Sequence, residues 1–311
     1  MSDTDSVESD ERARPTRRAV LRRSGSLAAG AVAAGSTSLA GCAGRGTTDA
    51  DEHDADAANP PLIAHRGFAA ENPENTVAAV EAATDLVDRV ELDVRRCGTG
   101  ELVAFHDATL GRVTDATGRV DETPLDRLSE LSVEGSGEPV PTLAAALDAV
   151  PADARVMLDL KERGLAADAV AVAAGANRDH GLAVIADDPA TIEAVNATDS
   201  GVQTVYAVRE SIPARALRPL IPEIRVGLEV PRWAYPSQDV AGMVETATQL
   251  GCAALSPRYE LCLRTDLVSR ARDADLRVLP WTVASAREYE AVAGAGVDAV
   301  VSDVSRERRE T

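Results

Sequence analysis

Between residues 62 and 302, short apolar runs rich in Val, Leu and Ile alternate with Ala-rich stretches whose apolar positions recur at helical spacing. Uninterrupted apolar runs suit strands covered on both faces, and their alternation with helical periodicity predicts a parallel α/β domain. Eight runs read as parallel strands, at 62–64, 90–94, 155–160, 182–186, 202–208, 253–256, 277–283 and 297–302. Eight such strands in about 245 residues predict a (β/α)8 TIM barrel. Helices are expected over 75–87, with Val77, Val80, Ala83 and Val87 near one face, and over 142–150, capped by Thr142. The turn Cys97-Gly98-Thr99-Gly100 joins the second strand to another at 101–105. That link is too short for a parallel crossover and predicts a hairpin. Residues 110–141, rich in Gly, Thr and Asp with a short helical piece at 125–131, read as a small insertion after the hairpin. A further strand-like run at 225–230 stands outside the count.

The chain before residue 61 follows other rules. Thr16-Arg17-Arg18 opens a twin-arginine pattern, a small-residue apolar stretch follows at 26–40, and Leu39-Ala40-Gly41-Cys42 resembles a lipobox. In that order they predict a twin-arginine lipoprotein signal peptide over 1–41, with lipidation at Cys42. Export by the twin-arginine route and a lipid anchor on the outer face of the cell membrane are the expected consequence. Residues 42–60 carry no apolar side chain larger than Ala beyond Cys42 and read as a flexible acidic tether. The barrel is expected to occupy 61–311.

Charge narrows the partners. The net charge is −19, and Lys161 is the only lysine among 32 basic residues. An acidic, lysine-poor surface predicts adaptation to high salt. It also excludes nucleic acid as a partner, since no basic patch tracks phosphates. A small molecule with one phosphodiester stays compatible, because a local cluster or a metal overrides the global field. Cys97, Cys252 and Cys262 in the folded part permit at most one bridge, with 252 and 262 the closest in sequence.

The chemistry gathers at strand ends. The first strand stops at His65-Arg66-Gly67, where a parallel barrel presents its site. Alternation puts Glu91 and Asp93 on one face of the second strand, where two acids amid apolar residues call for a divalent cation. Counted back through the turn, His106 falls opposite residues 91–92. The third strand ends with Asp159 and Lys161 on one face, and a lysine kept where arginine is otherwise preferred points to a need for a compact ammonium. Trp281 ends the seventh strand as core or as a wall facing substrate.

Taken in order, HRG at 65–67, PENT at 73–76, ELD at 91–93, HD at 106–107, the acid and lysine at 159–161, WTV at 281–283 and GVDAVVSD at 296–303 resemble the glycerophosphodiester phosphodiesterase family. The resemblance implies a barrel hydrolase that cleaves glycerophosphodiesters to sn-glycerol 3-phosphate and an alcohol with one divalent cation, Mg²⁺ or Ca²⁺. By motif position it implies that Glu91, Asp93 and Asp159 hold the metal. It makes His65 and His106 general base and acid, and Arg66 and Lys161 the phosphate ligands. It further suggests the glycerol's own 2-hydroxyl as attacker, giving a cyclic phosphate that water opens. The chain departs from the family at Asp159, where Glu is usual, and at Ala284, where Asn is common after WTV. A related barrel phospholipase of the C or D kind would want an apolar or basic rim, which this composition disfavours. A lipid-anchored binding protein for the same diesters would have no need of two histidines.

Overall fold

The computed structural model describes residues 59–176, 181–208 and 240–306. The leader, Cys42, His53, most of the tether, His180 and the run at 225–230 lie outside the described residues. The strands are β1 (Leu62–Ala64), β2 (Arg89–Arg96), β3 (Leu102–Ala104), β4 (Arg155–Leu160), β5 (Leu182–Ala186), β6 (Gln203–Ala207), β7 (Ala254–Ser256), β8 (Arg277–Val278) and β9 (Val300–Ser302). All pair in parallel in the order β8-β7-β6-β5-β4-β2-β1-β9, save β3, which runs antiparallel on β2. The ends of that order meet. Beyond β8, the amides of Val301, Val283 and Asp303 donate to Pro280, Val301 and Val283 at 2.9–3.1 Å. Those bonds join β9 to the seventh barrel strand and close an eight-stranded (β/α)8 barrel, as the alternation predicts.

Side chains alternate across this wall as the pleat requires. Inward positions Ile63, Met157, Ile185, Val205, Ala254, Leu279 and Val301 form one apolar cluster that fills the barrel. Outward positions such as Leu62, Leu92, Val94, Leu158 and Val184 join a larger cluster under the surrounding helices. Alanines 166, 169 and 173 of the helix Ala166–Gly175 are fully or nearly buried in that cluster. Toward the carboxyl ends of β1, β2 and β4 the inward positions turn polar, at His65, Glu91, Asp93, Asp159 and Lys161, while Ala207 and Trp281 keep the far side apolar.

Several boundaries differ from expectation. Residue 75 does not start a helix: Asn75 has φ 59°, and α1 (Val77–Thr84) begins after Thr76, whose hydroxyl accepts the Ala79 amide at 3.1 Å. Thr142 caps the helix Leu143–Asp148 in the same way. The seventh strand is regular only over Arg277–Val278, because Pro280 carries no amide to donate to a ladder. The three cysteines of the barrel are free and buried, so residues 252 and 262 are unbridged.

The hairpin register pairs Val94 with Ala104 and Arg96 with Leu102, which carries His106 to the level of Leu92. Residues 110–141 then fold as an insertion over their own core, where Leu110, Val113, Val120, Leu128, Leu131 and Val133 pack on Cys97, Val103 and Phe105 of the hairpin. Gly98 is one close contact between the two: its amide donates to Thr123 O at 2.7 Å. A Cβ there would lie 2.8 Å from the Glu122 carbonyl carbon and 2.9 Å from Thr123 N. Both neighbours are backbone and cannot swing aside.

Gly98→Ala should therefore cost about 1–3 kcal/mol by overpacking, read as a melting midpoint lowered by roughly 3–10 °C. Gly294→Ala, at the end of a helix with open space around it, should be neutral or slightly stabilising. A Gly98→Ala protein that melts with the parent would show that the hairpin does not seat the insertion.

Candidate functional site

The polar layer begins where β1 ends. His65-Arg66-Gly67 turns back at once, with Arg66 at φ 53° and Phe68 at φ 63°. Gly67 at φ 79° could not be replaced, since a Cβ would meet Ala79 at 2.7–2.8 Å. The reversal aims the Arg66 amide at Glu91 Oε2, 3.0 Å away, and lets Arg66 O accept the Asn75 amide. Left-handed backbone at three non-glycine residues of one loop is strain of the kind stored at functional sites.

Glu91 and Asp93 do share the inward face of β2, and β2 lies between β1 and β4 rather than at an edge. They are 2% and 0% exposed. Asp159, level with Asp93 on β4, completes a set in which one oxygen of each carboxylate lies within 4.8 Å of the other two. Lys161 follows on the same face, its Nζ 2.7 Å from Asp93 Oδ1 and 2.5 Å from Asp159 Oδ2. From the other side Arg66 Nε approaches Asp93 Oδ2 to 3.0 Å, and Asn75 Nδ2 donates to the same oxygen at 2.8 Å. Asn75 Oδ1 in turn accepts the Asp93 amide at 3.0 Å, so a side chain clamps this acid at both ends.

Burial alone would raise the Asp93 carboxyl, but Lys161 and Arg66 overcome it and hold Asp93 well below the usual range, hence ionised. Glu91, with weaker help from those cations, goes the other way: burial and repulsion from Asp93 and Asp159 push it well above the usual range. Burial works against the Lys161 charge, yet Asp159 and Asp93 keep its pKa above the ordinary lysine value.

The residues present suit a divalent cation. They offer hard oxygen donors only, and opposite ligands of an ion with bonds of about 2.4 Å stand about 4.8 Å apart. Asp93 Oδ1, fully buried, has no hydrogen-bond donor in proper alignment, its contact with Lys161 being ionic and off-angle. Glu91, Asp93 and Asp159 therefore form a potential cation site.

Both histidines flank this set, and both carry a carboxylate on Nδ1. His65 Nδ1 lies 2.6 Å from Asp303 Oδ1, and His106 Nδ1 lies 2.6 Å from Asp107 Oδ1. An ionised carboxylate only accepts, so Nδ1 bears the proton and Nε2 is left for chemistry. His65 Nε2 is 3.9 Å from Glu91 Oε2. Burial lowers the His106 pKa, with the Asp107 bond opposing it. Trp281 is half-buried, packs on the interior cluster two residues beyond Leu279, and donates its indole N–H to Ser256 O at 3.0 Å. The Arg258 guanidinium lies 5.2 Å from its ring centroid. A groove of about 570 Å³ beside Leu62, Asp88 and Ala154 opens at the amino ends of the strands, away from all of these groups.

The structure thus brings His65, Arg66, Glu91, Asp93, His106, Asp159 and Lys161 together at one mouth, with Trp281 at the end of a strand on the opposite wall. It adds residues that the motif reading left without a role: Glu74, Asn75, Asp107, Arg112 and Asp303. Glu74, 5% exposed, accepts from Arg66 Nη1 at 3.1 and 3.2 Å and from Arg112 at 2.6 and 2.8 Å. Adjacency to a histidine was the signal for Asp107. For Asp303, 238 residues from its partner, only the shared barrel mouth could have given it away.

Glu74 makes a stability prediction. Burial would raise its carboxyl, but the Arg112 hydrogen bonds and the Arg66 charge hold it below the ordinary value of 4.5. A depressed carboxylate stabilises the fold above its unfolded pKa, and that contribution fades as pH falls through the folded one. The melting midpoint should fall as pH drops below 4.5, and Glu74→Gln should flatten that acid-side slope. An unchanged slope in Glu74→Gln would show that other acids carry it.

Known proteins place the same layout in context. A glycerophosphodiester phosphodiesterase of Caldanaerobacter subterraneus is 25% identical over 253 residues, covering 78% of this chain and 93% of the relative. An Oleispira antarctica phosphodiesterase, solved with its product sn-glycerol-3-phosphate, superposes with a TM-score of 0.64 at 25% identity, over 81% of this chain and 96% of that one. The glycerophosphodiester phosphodiesterase of Agrobacterium tumefaciens shares the fold at 20% identity, with a TM-score of 0.62 over 78% and 96% of the two chains. The model of the glycerophosphoryl diester phosphodiesterase family matches residues 65–307. That span starts on His65 and takes in Asp303, so the whole mouth just described lies within it, and the chain belongs to that family.

Proposed function

We propose that the protein hydrolyses glycerophosphodiesters to sn-glycerol 3-phosphate and an alcohol, with His65 as general base and His106 as general acid. The observation that carries this reading is the pair of histidines, each fixed through Nδ1 by a carboxylate, beside a buried acidic set. A binding site for an anion needs no such acid–base pair. The relative solved with sn-glycerol-3-phosphate, 25% identical over most of both chains, supports the same substrate class.

The charges at the mouth explain why the site needs a cation. Six carboxylates (Glu74, Glu91, Asp93, Asp107, Asp159 and Asp303) face three cations (Arg66, Arg112 and Lys161), an excess that repels a phosphodiester. Glu91, Asp93 and Asp159 hold one divalent cation, Mg²⁺ or Ca²⁺ by their all-oxygen character. When bound it acts as a Lewis acid on a phosphoryl oxygen. Arg66 and Lys161, placed on either side of Asp93, orient the remaining phosphate oxygens. His65 Nε2 takes the proton of the attacking glycerol 2-hydroxyl, and water then opens the resulting cyclic phosphate, adding its hydroxyl to phosphorus and its proton to the 2-oxygen. His106, in its protonated form, gives a proton to the departing alkoxide, which is a poor leaving group without one.

Release of glycerol phosphate from glycerophosphocholine should stop on exhaustive chelation and return with Mg²⁺ or Ca²⁺. Full turnover by chelated enzyme would remove the cation, and with it the roles of Glu91, Asp93 and Asp159.

His65→Ala and His106→Ala should each lower kcat by about 10²–10⁴-fold while melting near the parent temperature, since neither side chain belongs to the apolar clusters. The p-nitrophenyl ester of glycerol 3-phosphate, whose leaving group needs no proton, should restore much of the rate to His106→Ala and little to His65→Ala. Losses that merely track the amount of folded protein would contradict acid–base roles.

A further inference from the structure

Arg112 sits on the insertion, in the single turn Leu110–Arg112, and its side chain is 45% exposed. Even so, it reaches two acids of the site. Nη1 and Nη2 donate to the two oxygens of Glu74 at 2.8 and 2.6 Å, and Nε donates to Asp107 Oδ2. Each acid also holds a group at the mouth. Asp107 Oδ1 meets His106 Nδ1 at 2.6 Å, and Glu74 accepts both bonds from Arg66 Nη1. A guanidinium offers five donors in a fixed plane and can bridge two carboxylates, whereas an ammonium presents three donors from one point.

We propose that Arg112 is a positioning residue for the hydrolysis inferred above, fixing the His106 ring through Asp107 and the Arg66 guanidinium through Glu74. The insertion thereby governs both proton delivery and the hold on phosphate. The inference rests on the reading of His106 as acid and Arg66 as phosphate ligand. Its two arms have different symptoms. Loss of the Asp107 arm disturbs protonation of the leaving group, which matters for an alkyl alcohol and little for nitrophenolate. Loss of the Glu74 arm disturbs the phosphate, which every substrate shares.

The test measures kcat/KM of the full chain on glycerophosphocholine and on the p-nitrophenyl ester of glycerol 3-phosphate. Arg112→Gln should lose about tenfold on the nitrophenyl ester and about 10²-fold or more on glycerophosphocholine. Arg112→Lys should resemble Arg112→Gln rather than the parent. Asp107→Asn should show mainly the loss specific to glycerophosphocholine, Glu74→Gln mainly the shared loss, and Asp107→Asn should add little on top of Arg112→Gln. Arg127→Gln, which removes an exposed pair with Glu130 elsewhere on the insertion, should behave as the parent. If Arg112→Gln is too unstable to assay, Asp107→Asn and Glu74→Gln carry the test, because each removes one arm and leaves Arg112 in place. Parent-like rates in Arg112→Gln, or equal losses on both substrates in Asp107→Asn, overturn the proposal. A parent inactive on both substrates sinks the hydrolysis reading itself, whereas an active parent with an indifferent Arg112→Gln sinks only the role of Arg112.

Discussion

Three carboxylates that each bring one oxygen within 4.8 Å of the other two, two of them with no more than 2% of their surface exposed, are the constraint to which the rest of this mouth answers. At about 4 Å and an effective dielectric of about 20, each like-charged pair costs about 4 kcal/mol. A domain stable by about 5–15 kcal/mol cannot carry that uncompensated. Lys161 between Asp93 and Asp159, Arg66 against Asp93, and a raised Glu91 are how the protein carries it. The same arrangement suits a dication, which would bring more charge to the triad than either side chain alone.

The barrel makes this crowding possible by placing β2 and β4 side by side with Asp93 level with Asp159. Below them the interior is filled with apolar side chains, so the carboxylates cannot retreat inward. Around them, groups distant in sequence converge: Asp303 from the last strand orients His65, and the clamp of Asn75 on Asp93 comes from the loop after the first. The insertion adds a second layer. Its core packs on the β2–β3 hairpin, the same hairpin that delivers His106, so movement of one is felt by the other.

Much of this was legible in the chain because it depends on local rules. Period-two alternation put Glu91 and Asp93 on one face, the short turn after Arg96 forced a hairpin, and the hairpin register then carried His106 beside them. The lone lysine was conspicuous by composition, and it stands between two acids. What escaped depends on contacts across the barrel or on backbone that breaks local rules. Asn75 looks like a helix start, yet its positive φ turns it toward Asp93. Glu74 and Arg112 are 38 residues apart and look like ordinary surface charges until the insertion folds back on the loop. The seventh strand is a regular ladder only over Arg277–Val278, yet single bonds carry its pairing on to Val283, which an apolar run cannot distinguish from a full ladder.

The most direct test of this account is a crystal structure of the protein grown with Mn²⁺ and read by anomalous scattering. The account predicts one strong anomalous peak touching Glu91, Asp93 and Asp159, with the Lys161 ammonium moved off Asp93 Oδ1. No peak at the triad, with Lys161 still seated between Asp93 and Asp159 at saturating Mn²⁺, would contradict it.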